Sequence, residues 1–314
     1  MKYEGQICQP PVERSSVNIP VTVGCSYNAC LFCDLFRHLK YRELPMEEIE
    51  KELRRIHDLG GDPKVVFLGD GDAFYLSADR LLAIAEQIHK YFPSCSQLRM
   101  DARIPNVSDK TDSELKALAD AGVQCLYIGI ESGLDDVLSF MRKDHSSAEA
   151  EEQIARLHEA GIEYGAHIMT GVAGAGRCLE NAEATAAFLN RTKPWRVVNF
   201  SMGLHPHVPL AREIEAERFT PADELEILRE EYRLIELLEG PLEYDGLHDV
   251  FEFRVKGKLP KDREKMLART ASAIAAQEGG EKRYSWSAPE WRCYLQTPVI
   301  FRDQERQIER PPMY

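Results

Sequence analysis

A parallel α/β sheet curled into an open, partial barrel is the fold this sequence predicts, on two patterns. From about residue 17, six short β-branched runs alternate with longer amphipathic stretches, the spacing that β–α units with a parallel sheet require. Each segment rich in reactive side chains also falls directly after one of those runs, at the strand ends where such folds gather ligands. Six units are too few for a closed eight-fold barrel.

Strands are predicted over Val17–Val23, Val65–Leu68, Leu98–Asp101, Leu126–Ile130, Tyr164–Met169 and Val197–Met202. Helices are predicted near 46–59, 79–91, 112–121, 147–160, 178–192 and 222–238. In the first, Ile49, Leu53, Ile56 and Leu59 share a face while Glu47, Glu48, Lys51 and Arg54 point to water. Gly60-Gly61 and Gly161 stop helices. Beyond residue 205 the pattern weakens. GPLEYDGLHDVFEFRVKGKLP reads as a hairpin or irregular segment, and Pro260–Gln277 as a helix with an Ala-rich face. The tail 281–314 carries two of the three tryptophans, too aromatic for ordinary disorder, and is expected to fold back as a strap. The chain thus divides into an N-terminal segment 1–16, a barrel 17–210, a helical region 211–280 and the strap.

The 314 residues are 44% hydrophobic and 29% charged, with a formal net charge of −13. That acidity disfavours a large nucleic-acid partner, which needs a basic footprint. No run nears the roughly 20 apolar residues of a membrane span. The amino terminus has no apolar signal-peptide core, so a cytoplasmic protein is expected.

Of eight cysteines, Cys25, Cys30 and Cys33 crowd into nine residues after the first strand. Three thiolates on one loop can converge on a soft metal centre. Structural zinc wants four protein ligands; the nearest extra candidate, His38, reads as a solvated histidine beside Arg37 and Lys40. A four-iron cluster on three cysteines leaves one iron for a non-protein ligand.

These residues resemble the radical S-adenosylmethionine (SAM) superfamily, whose signature is CxxxCxΦC, Φ aromatic, after the first strand of a partial (β/α)6 TIM-like barrel. Cys30-Leu31-Phe32-Cys33 matches its second half, while four residues rather than three separate Cys25 from Cys30. The resemblance implies a [4Fe–4S] cluster on the three cysteines, SAM on the open iron and Phe32 beside the adenine. After the second strand, Gly69-Asp70-Gly71-Asp72 looks like the family's GGE segment; Gly71 and Asp72 would meet the amino group of SAM. After the fourth, Gly129-Ile130-Glu131-Ser132 resembles the GIES segment of the branch with oxygen-independent coproporphyrinogen oxidases, implying that Glu131 touches SAM or substrate. Gly171, after the fifth, would border the adenine, and Arg103 and Arg142 are candidates for the SAM carboxylate.

His205 and His207 follow the sixth strand and are the catalytic candidates, as proton carriers or metal ligands; an outward-facing polar loop is the alternative. The implied function is radical chemistry on a small molecule or peptide, with a reductant such as flavodoxin or ferredoxin. An iron–sulfur electron-transfer protein and a zinc-dependent α/β-barrel lyase or isomerase are alternatives using the same thiolates.

Overall fold

The computed structural model describes residues 4, 7–248, 253–280, 283 and 284. The strap expected over 281–314 lies almost wholly outside the described residues. The strands are β1 (Val17–Pro20), β2 (Thr22–Val23), β3 (Arg42–Glu43), β4 (Val65–Gly69), β5 (Gln97–Ala102), β6 (Val123–Glu131), β7 (Glu163–Thr170), β8 (Arg196–Ser201), β9 (Leu242–His248) and β10 (Phe253–Leu259). The helices are α1 (Met46–Asp58), α2 (Ala78–Tyr91), α3 (Ile104–Ser108), α4 (Asp112–Asp120), α5 (Asp135–Phe140), α6 (Ser147–Ala160), α7 (Cys178–Thr192), α8 (Pro209–Glu215), α9 (Glu224–Leu237) and α10 (Arg263–Gln277).

One eight-stranded sheet runs β1-β4-β5-β6-β7-β8-β9-β10. All neighbours are parallel except the last pair, β9 and β10, which form an antiparallel hairpin. The predicted strands are all present. The first is split: Val17–Pro20 joins the barrel sheet, while Thr22–Val23 pairs with Arg42–Glu43 in a ribbon of its own. The 211–280 region is not simply helical, since Leu242–His248 adds a seventh parallel strand to the barrel.

Helices cover the outer face. Ile19, Leu68, Met100, Ile128, Ile168 and Val197 pack there against the apolar stripes of α1, α2, α4, α6, α7 and α9 in one continuous core. Thr111, Ser146 and Asp223 cap α4, α6 and α9 through reciprocal capping boxes. Inside the barrel a second cluster joins Phe67, Cys125, Tyr127 and Val198 to Val12, Trp195, Phe200 and Leu247. The N-terminal segment is therefore part of the barrel interior. Its Glu13 accepts from Tyr127 Oη, from Arg99 Nη1 at 2.6 Å and from Ser16 Oγ at 2.7 Å.

The C-terminal elements carry a buried charge cluster. His248 places Nε2 2.8 Å from Glu231 Oε2 and Nδ1 3.4 Å from Glu224 Oε2. Burial opposes protonation of the ring, but the two glutamates outweigh it and push its pKa up to about 10. The ordinary value is 6.5, so the folded chain keeps a proton that the unfolded chain sheds in between. This stabilisation is full below pH 6.5 and is lost as pH rises through about 10. Thermal unfolding from about pH 7 to 10 is expected to show a steeper loss of stability in the wild type than in His248→Gln. Equal slopes would contradict that role.

Candidate active site

The cysteine loop leaves β2 through Gly24 and is fastened on both sides. Arg37 Nε donates to the Cys33 carbonyl at 2.7 Å, and its Nη2 donates to that of Cys30. Asn28, at a left-handed φ of 47°, donates through Nδ2 to the Phe36 carbonyl at 2.9 Å. Leu31 N–H reaches the Met141 carbonyl at 3.0 Å and Tyr27 Oη that of Arg142 at 2.6 Å, tying the loop to the segment after α5. All three thiols are reduced and partly buried. Burial raises their pKa values, that of Cys33 to about 11; Cys30 and Cys33 stand in the field of other thiols of the loop, and Cys25 in that of Asp72.

The turn after β4 presses onto this loop. Gly71 has φ 64°, and a Cβ there would lie 2.4 Å from the Gly24 carbonyl oxygen, so only glycine fits. Gly71→Ala is expected to push the cysteine loop out of place and lower the iron retained per chain after anaerobic reconstitution; unchanged iron would show that the contact yields. Asp72 is 1% exposed. One oxygen, Oδ2, accepts from Arg103 Nε at 2.8 Å and from Ser26 Oγ in the cysteine loop. The other, Oδ1, is buried with no hydrogen-bond partner. Arg103 also pairs with Asp144, donates to Ser26 Oγ at 2.6 Å and lies over the Tyr27 ring at 5.3 Å. Burial works against the charge on Asp144, yet His145, Arg103 and Lys143 prevail and hold its pKa at about 2.

At the end of β6 the register slips between Gly129 and Glu131, and Glu131 takes a left-handed φ of 64°. A non-glycine residue there stores roughly 1–3 kcal/mol of strain, a mark of functional positions. Its Oε1 lies 3.2 Å from Lys143 Nζ. Lys143 in turn stands in the field of Cys30, a positive charge beside a centre that gathers thiolates. The next turn is held from behind: Ser132 Oγ donates to Asn181 Oδ1, and Gly133 N–H to Thr185 Oγ1 at 2.9 Å. Asn181 Nδ2 reaches Glu230 Oε1 at 2.6 Å, and Gly171 N–H reaches Glu230 Oε2 at 2.7 Å. A single α9 carboxyl thereby fixes the loops after β6 and β7.

The predicted residues do not all converge. Cys25, Asp72 and Arg103 meet through Ser26, and Glu131 joins Cys30 through Lys143. Phe32 is buried among Leu31, Val137, Met141, Val172 and Met202. His205 Nδ1 lies 4.0 Å from Asp34 Oδ2, just past Cys33, whereas His207 is exposed. Arg142 is exposed, in the field of Glu213. Gly171 is buried against Ile227 of α9. Sequence reasoning missed Arg37, Lys143, Asp144 and Glu230. Of these, only Arg37, four residues after Cys33, sits close enough to a motif to have been read.

These residues fit an iron–sulfur cluster with SAM. Three free thiols on one loop supply the donor set such a cluster takes. The unpartnered Asp72 oxygen provides an acceptor for an ammonium group, and the Gly71 turn permits close backbone approach.

The fold and loop define a cluster-binding α/β barrel. The sequence model of the radical SAM superfamily matches residues 19–189, and the chain belongs to that superfamily. Its members are enzymes that use a [4Fe–4S] cluster and SAM. The chain is also similar to the heme chaperone HemW of Bacillus subtilis, 27% identical over 140 residues, covering 43% of this chain and 37% of that one. HemW of Lactococcus lactis is 27% identical over 151 residues, 44% and 36% of the two chains. The similarity therefore spans little more than a third of these relatives. Among solved structures, coproporphyrinogen III oxidase (HemN) from Escherichia coli superposes with a TM-score of 0.56 at 14% identity, over 70% of this chain and 52% of that one. Methylornithine synthase (PylB) gives 0.52 at 14% identity, over 89% and 85%. These likenesses show the shared fold. No helix among the described residues is long and apolar enough to cross a membrane.

Proposed function

We propose that this chain cleaves SAM reductively and directs the resulting radical at a small-molecule or peptide substrate held in the barrel. The observation that carries the reading is the contact between the three-cysteine loop and Asp72, whose second oxygen is buried and unused. When bound, the cluster and SAM together supply a 5′-deoxyadenosyl radical on one-electron reduction. The chain's own groups then have separate tasks. Cys25, Cys30 and Cys33 hold three irons, and Arg37 and Lys143 offset their negative charge. Asp72 accepts the ammonium of SAM. Arg103, already committed to Asp72 and Asp144, orients that carboxylate. Glu131, fixed by Lys143, faces SAM or substrate, and Phe32 adds an apolar wall.

The electron comes from a small protein reductant of the flavodoxin or ferredoxin type. Heme handling, which the name of the HemW relatives states, is not carried over, because the similarity covers 37% of that protein.

Anaerobic, reduced protein supplied with SAM is expected to release methionine and 5′-deoxyadenosine, read by mass spectrometry. Asp72→Asn is expected to bind SAM at least about tenfold more weakly, roughly 1.4 kcal/mol, with its iron unchanged. Iron-loaded wild type that neither binds nor cleaves SAM would reduce the reading to electron transfer. Colourless protein with stoichiometric zinc would replace it with the lyase or isomerase alternative.

A further inference from the structure

Inside the barrel, below the cysteine loop, lies a group of polar side chains that the cofactor site leaves unused. Asp101 shares a face of β5 with Arg99, which reaches inward to Glu13. The His167 ring sits between those of Tyr127 and Phe200, at 5.5 and 5.6 Å between centroids. The Asn18 side chain lies against Gly69, where an added Cβ would lie 2.9 Å from its Oδ1. Asp70 is 4% exposed and accepts the Cys8 amide at 3.2 Å. The Cys8 thiol is in the fields of Asp101, Asp70, Cys33 and Cys25, so it bridges this chamber and the cysteine loop.

Asp101 Oδ1, His167 Nε2 and both amide atoms of Asn18 are buried without a hydrogen-bond partner. Buried polar atoms are rarely left so, and here they occur on β1, β5 and β7 of one sheet. The cations nearby are already paired. Arg99 and Arg196 are taken by Glu13 and Glu243, and Lys143 by Glu131.

We propose that this chamber binds the substrate through a positively charged nitrogen, an ammonium, amidinium or guanidinium group, held by Asp101 and Asp70 beside the packed rings of His167, Tyr127 and Phe200. The inference rests on the enzymatic reading above and adds its substrate class. A cationic nitrogen brings the donors that Asp101 Oδ1 and the Asn18 carbonyl lack, and an aromatic face favours a cation over it. Burial raises Asp101 well above the usual carboxylate range and Asp70 to about 7, while it lowers His167 to about 4. The empty chamber thus suppresses its own charges, and an incoming cation restores the carboxylates.

The test uses cluster-reconstituted protein with SAM and no reductant, and three probes of one shape: benzylamine, benzyl alcohol and benzoate. Affinity is read by calorimetry. Benzylamine is expected to bind at least tenfold more tightly than benzyl alcohol, with no binding of benzoate. In Asp101→Asn, an isosteric change, the preference for benzylamine over benzyl alcohol is expected to vanish while iron content and SAM affinity stay unchanged. Equal binding of the alcohol, binding of benzoate, no binding of benzylamine, or a preference that survives in Asp101→Asn would overturn the proposal. Because iron and SAM binding are measured on the same sample, failure of the chamber is distinguishable from failure of the enzymatic reading.

Discussion

Cys30→Ala will abolish cluster assembly and, with it, cleavage of SAM. With only Cys25 and Cys33 left, a cube of four irons has two protein anchors, and the open corner that should take SAM is no longer unique. The neighbourhood also depends on that sulfur, since Lys143 stands in its field and Arg37 clamps its carbonyl. After anaerobic reconstitution, iron is expected to fall from about four per chain to near zero, with 5′-deoxyadenosine below detection. Cys95→Ala, a buried cysteine of the outer core, is the matched control and is expected to load fully. A Cys30→Ala protein that retained its iron would contradict the assignment.

The largest effect on stability is expected far from the cluster. Glu13 is 2% exposed and its Oε1 serves Tyr127, Arg99 and, at 3.4 Å, Arg196. Removing it in Glu13→Ala leaves Arg99 without a carboxylate inside the barrel and takes an acceptor from Tyr127 and from Arg196, which keeps Glu243. Loss of one member of a buried ionic network is strongly destabilising, about 3–5 kcal/mol, and should appear as a lower urea midpoint at unchanged slope. Burial alone would raise the Glu13 pKa, but Tyr127, Ser16 and Arg99 together hold it below the usual value of 4.5. Its contribution is therefore present above that value and lost as the pH falls below it. A change under about 1 kcal/mol, the range of exposed pairs, would show that the N-terminal segment merely rests on the barrel.

What could be read from the sequence was what is local. Val65–Leu68 is a short apolar run because β4 is covered on both faces, and Met46–Asp58 shows its stripe because α1 is covered on one. The cysteine loop was legible because its three ligands share nine residues. Leu242–His248 reads as hairpin or irregular in the sequence because its polar residues answer distant partners: Glu243 pairs with Arg196, and Tyr244 donates to Glu231 at 2.9 Å. Glu13 was invisible for the same reason, with partners 86, 114 and 183 residues away. At Arg142-Lys143-Asp144 the sequence offers three charges in a row. Arg142 adopts a left-handed φ of 54° and points outward, while Lys143 and Asp144 turn to Glu131 and Arg103. Composition alone cannot choose among such neighbours, because backbone handedness decides.

Electron paramagnetic resonance of the reduced, air-free protein, recorded before and after addition of SAM, tests the central claim most directly. A [4Fe–4S] signal that changes on addition of SAM is the predicted result, because it places the nucleotide on the iron that no cysteine holds. A signal indifferent to SAM, or protein that takes up no iron at all, would contradict it.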